Sequence, residues 1–179
     1  MTTRGNRRER SELPLVVALA QRLAFLHGFE ESCDARVGRV LRTFTALARG
    51  KALDLGTGFG VSAAWMLDGL GSGRRLVRVD VEPERHERVQ SLFVPYANVT
   101  LLCGARRDGL AHGPFGIVFL GAEPEQDVGP DALIDALHVG GLVVLDRARR
   151  CPWLRHPRLA ASEVALSDDH ALIVATRAW

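Results

Sequence analysis

Lysine is almost missing from this chain of 179 residues: Lys51 is the only one, and arginine supplies the rest of the basic side. The 23 basic and 21 acidic side chains leave a net charge of +2 and a pI of about 8.7, too mild a surplus to demand a nucleic-acid partner. Cysteine is scarce as well. Cys33, Cys103 and Cys151 are odd in number, far apart and never in a C-x-x-C pair, which argues against a disulfide framework and a zinc site. That usage suits a reducing compartment, so the expected location is cytoplasmic. No apolar run approaches the ~20 residues of a membrane span, so no membrane partner is expected. The nearest thing to a leader is a basic start, Arg4 to Arg10, followed by Leu13–Ala20; Gln21 and Arg22 interrupt it, and no small-x-small cleavage site follows. Repeats and low-complexity tracts are absent. The remainder, 47% hydrophobic and 25% charged, is that of a globular domain long enough to bury a core.

The pattern predicts a disordered basic tail over residues 1–12 and a single domain over 13–179, with N-terminal helices within 14–49. The first helix, 14–27, carries Leu15, Leu19, Leu23 and Leu26 on one face, which suggests a buried surface or a homodimer contact. Asp34 can cap a second helix whose Val37, Val40, Leu41, Phe44 and Leu47 recur at helical spacing, with Arg36, Arg39 and Arg42 on a solvated face. From Lys51, strands alternate with helices: Ala52–Leu55, Leu76–Val79, Val99–Leu102, Ile117–Leu120 and Leu142–Leu145, with Pro83 opening one helix and another covering Pro130–His138. Five strands joined this way predict an α/β fold with a parallel, doubly wound sheet. The tail differs: Ser162–Leu166 and Ala171–Thr176 flank Ser167-Asp168-Asp169-His170, which reads as a β-hairpin.

The most informative stretch is Lys51-Ala52-Leu53-Asp54-Leu55-Gly56-Thr57-Gly58-Phe59-Gly60. A short apolar run ends near an acid, then breaks into alternate glycines, and a helical pattern follows. This is strand, tight turn, helix, the opening of a nucleotide site. Gly56 suits a turn of unusual dihedrals, and Gly58 and Gly60 let the backbone approach a ligand. Read alone, the same glycines also suit a turn that only makes room. The dinucleotide fingerprint would need a glycine at Val61. Asp80 lies at the end of the second strand, where a carboxylate can accept both hydroxyls of a ribose; a carboxylate before a helix is the plainer alternative.

The G-x-G-x-G turn after Asp54 resembles motif I of the class I S-adenosylmethionine (SAM) methyltransferases. Pro114–Leu120 resembles that family's fourth-strand motif, and Leu137–Asp146 its glycine turn into strand five. The detail is most similar to the catechol-type (family 3) O-methyltransferases. The resemblance implies a Rossmann-like seven-stranded sheet of order 3-2-1-4-5-7-6 with its last strand antiparallel, and SAM as cofactor. It implies that Asp54 faces the methionine ammonium, that Gly56, Thr57, Gly58 and Gly60 wrap the carboxypropyl chain, and that Asp80 and Val81 meet the ribose. Ala105 and Arg106 would lie near the adenine. Ser62, at a helix N-terminus, could hold the methionine carboxylate.

The departures bear on mechanism. The catechol-type enzymes bind a divalent cation through two Asp and an Asn, with a lysine nearby. Here those positions are Gly121, Asp146 and Arg147, with Pro124 for the lysine. One carboxylate beside a guanidinium is a poor site for a hard cation, so no metal is expected. The candidates for a general base are Asp146, Glu123 and His112, all expected near the carboxyl ends of the strands. Arg147, Arg149, Arg150, Arg155 and Arg158 then form the densest charge cluster, with Trp153 among them. Arg147, Arg149, Arg150 and Trp153 read as an acceptor-binding rim for an anionic small molecule, or as a solvated loop. The expected function is therefore a metal-independent SAM-dependent methyltransferase acting on a small acceptor. The alternatives are a SAM-binding protein without catalysis and an RNA methyltransferase using the arginines.

Overall fold

The computed structural model describes residues 13–29, 32–56, 58–121, 128–146 and 150–179; the basic tail 1–12 lies outside them. Seven strands form one sheet: β1 (Lys51–Leu55), β2 (Leu76–Asp80), β3 (Val99–Cys103), β4 (Phe115–Leu120), β5 (Leu137–Asp146), β6 (Leu159–Ala165) and β7 (Ala171–Arg177). Their order is β3-β2-β1-β4-β5-β7-β6, as the family resemblance implied. The first five are parallel, and β7 runs antiparallel to both β5 and β6. Between β1 and β4 the order reverses, and ligands of open α/β sheets bind at the carboxyl side of such a switch point.

Alternation along the strands sorts the core into two layers. Ala52, Leu76, Ile117, Phe119, Val144 and Leu172 face one side, under α1 (Leu15–Leu26), α2 (Ala35–Leu47), α3 (Val61–Leu70) and α4 (Pro83–Phe93). Leu53, Leu55, Val77, Val79, Val118, Val143, Leu145 and Ile173 face the other, with α6 (Pro130–Asp135) and α7 (Arg150–Leu154). The period of two then puts Asp54, Arg78, Asp80 and Asp146 on the first face, the three aspartates at or next to the carboxyl ends of their strands and Arg78 in the middle of β2. Every one of them is buried.

Several expectations are corrected. On α1 the buried residues are Val16, Val17, Ala20 and Ala24, whose small side chains let the helix lie close on the core; Leu15, at 73% exposed, and Leu19 and Leu26 face outward. The helix expected over Pro130–His138 stops at Asp135, because β5 already begins at Leu137 and bends at Gly140, which takes φ 78°. Two short helices were not expected, α5 (Arg106–Leu110) and α7. The Asp34 cap is as expected, its carboxylate accepting from the Arg36 backbone N–H at 2.7 Å.

Candidate active site

Two clusters flank β4 at the carboxyl edge. The first is built on β1 and β2. Gly60, not Gly56, takes the left-handed conformation, φ 81°, and starts α3. A Cβ on Gly60 would press on Phe93 and Val89, and one on Gly58 would lie 3.1 Å from the Phe29 ring. Those two glycines therefore make room for side chains of this chain. On Gly56 a Cβ would lie 3.0 Å from both Asp54 carboxylate oxygens. Thr57 lies outside the described residues.

Asp54 is fully buried and accepts a hydrogen bond from Ser62 Oγ at 2.9 Å. In this structure the Ser62 proton is therefore directed at Asp54. Burial raises Asp54 to about pH 6, against the opposing pull of Arg78 and the Ser62 hydrogen bond. Its second oxygen, Oδ2, is buried and has no hydrogen bond among the described residues.

Arg78 was not singled out from the sequence. It pairs across the sheet with Asp54 in register, and its Nε stands 3.6 Å from Asp54 Oδ2. Its Nη2 donates to Asp80 Oδ2 at 2.8 Å and to the Gly58 carbonyl. Asp80 Oδ1 accepts from the Glu82 backbone N–H at 3.0 Å and from Arg85 Nε at 3.3 Å. Both oxygens expected to meet a ribose are therefore engaged within the chain. The Arg78 Nε and Nη1 atoms are buried without hydrogen-bond partners among the described residues. A charged residue amid Leu76-Val77-Arg78-Val79-Asp80 was the available signal, since arginine is almost never fully buried unless paired.

Around this cluster, Val81 is half-exposed just past β2. The Gly104 backbone N–H donates to the Asp80 carbonyl, which brings the loop after β3 alongside, and Ala105 N donates to Asp108 Oδ2 at 3.0 Å. Arg106 is buried. From above, Phe29 meets Phe59 edge-on at 5.5 Å and has the Arg85 guanidinium 5.7 Å from its ring.

The second cluster lies beyond β4. Asp146 ends β5, and its Oδ1 is 2.5 Å from Nε2 of His170, in the turn before β7; both residues are buried. The sequence reading placed His170 in the hairpin and missed it as a functional residue. Only the antiparallel return of β7 brings it to Asp146, across 24 residues. Arg36 ties this turn to the start of α2 by donating to the Leu166 carbonyl at 3.4 Å. Cys33 connects the two clusters. Burial raises its thiol well above the ordinary range, and the charges of Asp146, Asp54 and Asp34 add to the effect. Cys33 also lines a cavity of about 370 Å³ with Gln21, Ala24, Phe25, Gly28, Phe29 and Ser32.

The remaining expected residues separate. His112 follows α5 and precedes β4, and its carbonyl accepts from Lys51 at the start of β1. It stands at the amino edge of the sheet and cannot act as a base at the carboxyl edge. Trp153, at 2% exposed, is packed in the core under α7 and forms no rim, because the short helix turns Trp153 and Leu154 onto the sheet. Arg158 is held by Asp135 and Asp131 of α6, so that arginine is already offset. Glu123, Pro124, Arg147 and Arg149, and the Arg150 side chain, lie outside the described residues. Among the described residues no group of three or more His, Cys, Asp or Glu side chains is placed to hold a metal ion, and no helix is long and apolar enough to cross a membrane.

Residues 32–150 match the family model described as protein-L-isoaspartate(D-aspartate) O-methyltransferase. The chain is 30% identical over 150 residues to the protein named "Putative O-methyltransferase" of Mycobacterium avium (strain 104), covering 78% of this chain and 67% of that one. Among solved structures, the O-methyltransferase TomG from Streptomyces achromogenes, in complex with SAM, aligns with a TM-score of 0.74 at 17% identity, over 94% of this chain and 92% of that one. The O-methyltransferase from Bacillus cereus, in complex with S-adenosylhomocysteine (SAH), aligns with a TM-score of 0.70 at 18% identity, over 90% of each. These two likenesses are of fold.

Proposed function

This chain belongs to the class I SAM-dependent O-methyltransferases, and on that footing we propose that it transfers a methyl group to an oxygen of a small-molecule acceptor. The observation that carries the reading is the buried Asp54 carboxylate under the glycine turn, oriented by Ser62 and keeping one oxygen without a hydrogen bond among the described residues. A buried carboxylate oxygen at a switch point, with Arg78 Nε 3.6 Å away and no hydrogen bond among the described residues, fits an ammonium group. Asp54 would hold the methionine ammonium of SAM, the Gly56–Gly60 turn its carboxypropyl chain, and Asp80 with Val81 the ribose, Arg85 giving way to the hydroxyls. Ala105 and Arg106 would flank the adenine.

When bound, SAM supplies a methyl group already activated by its sulfonium, so the protein contributes alignment more than reactivity. Arg78 does part of that work by fixing Asp54 and Asp80 relative to each other and to the Gly58 carbonyl. The transfer needs no divalent cation in this reading. Gly121 brings no ligand, and Asp146 is committed to His170, so the donor set does not fit the metal of the catechol-type enzymes. EDTA should therefore leave turnover unchanged.

Calorimetry tests the cofactor. Micromolar binding of SAM and SAH, with no binding of NAD, is expected. Binding of NAD without SAM would overturn the reading.

A further inference from the structure

We propose that His170, held by Asp146, is the base that takes the acceptor's proton, and that the acceptor is a neutral hydroxyl compound seated in the cavity beside Phe29 and Cys33. The inference rests on the methyltransferase reading and deepens it. A carboxylate acceptor is already ionised at neutral pH and needs no base; a phenol or alcohol does. A buried imidazole with a carboxylate on one nitrogen has the other nitrogen for a proton, and the carboxylate stabilises the imidazolium that results. The charges around His170 are Asp146 on β5, Asp34 and Arg36 at the start of α2, and Asp169 in its own turn.

The cavity supplies the place. Its walls are mainly apolar, Ala24, Phe25 and Phe29, and its size is that of an ordinary small-ligand pocket. Phe29 joins it to the glycine turn, since its ring packs against Gly58 and Phe59. Cys33 joins it to the dyad through the start of α2: its Sγ donates to the Asp34 carbonyl, and Arg36 donates to the carbonyl of Leu166, whose N–H bonds the His170 carbonyl. Ser32 Oγ, which lines the cavity, is buried without a hydrogen-bond partner among the described residues, a polar handle in an apolar wall. As the acceptor oxygen bonds to the methyl carbon, the methyl–sulfur bond breaks and leaves its electron pair on sulfur. The hydroxyl proton passes to the imidazole and from there to solvent, and the products are a methyl ether and SAH.

A matched pair of probes, 2-naphthol and 2-naphthoate, tests this on the full chain. Calorimetry on the SAH complex should show 2-naphthol binding, weakened by Ser32→Ala. His170→Gln should keep SAH and 2-naphthol affinity within about twofold while methyl transfer to 2-naphthol at neutral pH falls about 100-fold or more. The deficit should shrink as pH rises to where naphthol ionises unaided. Asp146→Asn should lose rate with the imidazole still present, which covers the case of a His170→Gln protein that does not fold. A wild-type rate in His170→Gln, failure of 2-naphthol to bind the SAH complex, or preferred methylation of 2-naphthoate would each overturn the proposal. Failure of SAH itself to bind the wild type would instead overturn the methyltransferase reading.

Discussion

Two arginines in this molecule each stand between two aspartates, and they do opposite things. Arg78 bridges Asp54 and Asp80 with its side chain 1% exposed and both partners at 0%. Arg158 bridges Asp131 and Asp135 with its side chain 30% exposed and its partners at 76% and 66%. The contacts are alike: 2.8 and 3.6 Å in the buried triad, 2.5 and 3.4 Å in the exposed one. Burial is the main difference between them. Outside, water does most of what the guanidinium does, so each aspartate can lose its partner at little cost. Inside, water cannot replace it: Asp54 has Arg78 as its ion-pair partner, and Asp80 keeps only the partly exposed Arg85 besides. Asp146 makes a third case. Its partner is an imidazole, which can accept and release a proton at ordinary pH where a guanidinium cannot. The carboxylates at the edge of the sheet thus differ in partner, a guanidinium for Asp54 and Asp80 and an imidazole for Asp146.

The largest effect should come from breaking the buried triad. Arg78→Met leaves Asp54 and Asp80 facing each other without their shared cation, and removing one partner of a buried pair costs about 3–5 kcal/mol. Urea denaturation should show that loss. An unchanged midpoint would mean that water enters the cluster and that its burial is not what sets its energetics. The pH dependence of stability should follow from Asp54. Its folded pKa is raised from 3.8 to about 6 by burial, so the folded state binds the proton more tightly than the unfolded one. That contribution is fully present below pH 3.8 and is lost as pH rises through about 6. Asp54→Asn removes it, and the variant should gain on the wild type by up to about 3 kcal/mol across this window. Parallel stability curves for the two proteins would show that Asp54 does not titrate there.

A smaller effect is expected at the ligand. Asp80→Asn keeps the shape of the side chain and removes its charge, and SAH affinity should fall by about 1–3 kcal/mol, the scale of a charge-assisted hydrogen bond. Because Asp80 is engaged by Arg78, Arg85 and the Glu82 amide in the chain, an unchanged affinity is the sharp alternative. It would mean that these partners keep Asp80 and that the ribose is met elsewhere.

The elements were legible because their signals are local. Alternating apolar residues marked β1 to β4 to within two residues, and Asp34 and Pro83 marked where α2 and α4 begin. The failures share a cause, which is that they depend on contacts between distant segments. The leucines of α1 keep helical spacing, yet the smaller Val16, Val17, Ala20 and Ala24 are the ones that let it dock. Trp153 looked like part of a basic rim because sequence proximity to arginines says nothing of which way a five-residue helix rolls. For the site, Asp54, Asp80 and Asp146 were legible as carboxylates at strand ends. Their partners were not, since Arg78 needs the β1–β2 register and His170 needs the return of β7. The family resemblance named the ligand positions and could not say which of them this chain already fills with its own side chains.

The smallest effect should come from the exposed triad, and its smallness is what the comparison requires. Arg158 contacts two α6 carboxylates that are themselves mostly in water, and His156 lies 3.4 Å from one of them, so Asp131 keeps a neighbour when Arg158 is removed. Arg158→Ala should leave the urea midpoint close to that of the wild type. Whatever difference remains should vanish in about 1 M salt, where the screening length is ~3 Å. Affinities for SAH and for 2-naphthol should not change, because the triad joins α6 to the start of β6 and touches neither cluster at the carboxyl edge. The two arginines, alike in their ion-pair distances, would then differ chiefly in burial. A loss comparable to that of Arg78→Met would refute this: it would show that the α6 contact holds the β6–β7 hairpin in place. In that case His170 should be displaced as well, and methyl transfer in Arg158→Ala should fall together with stability.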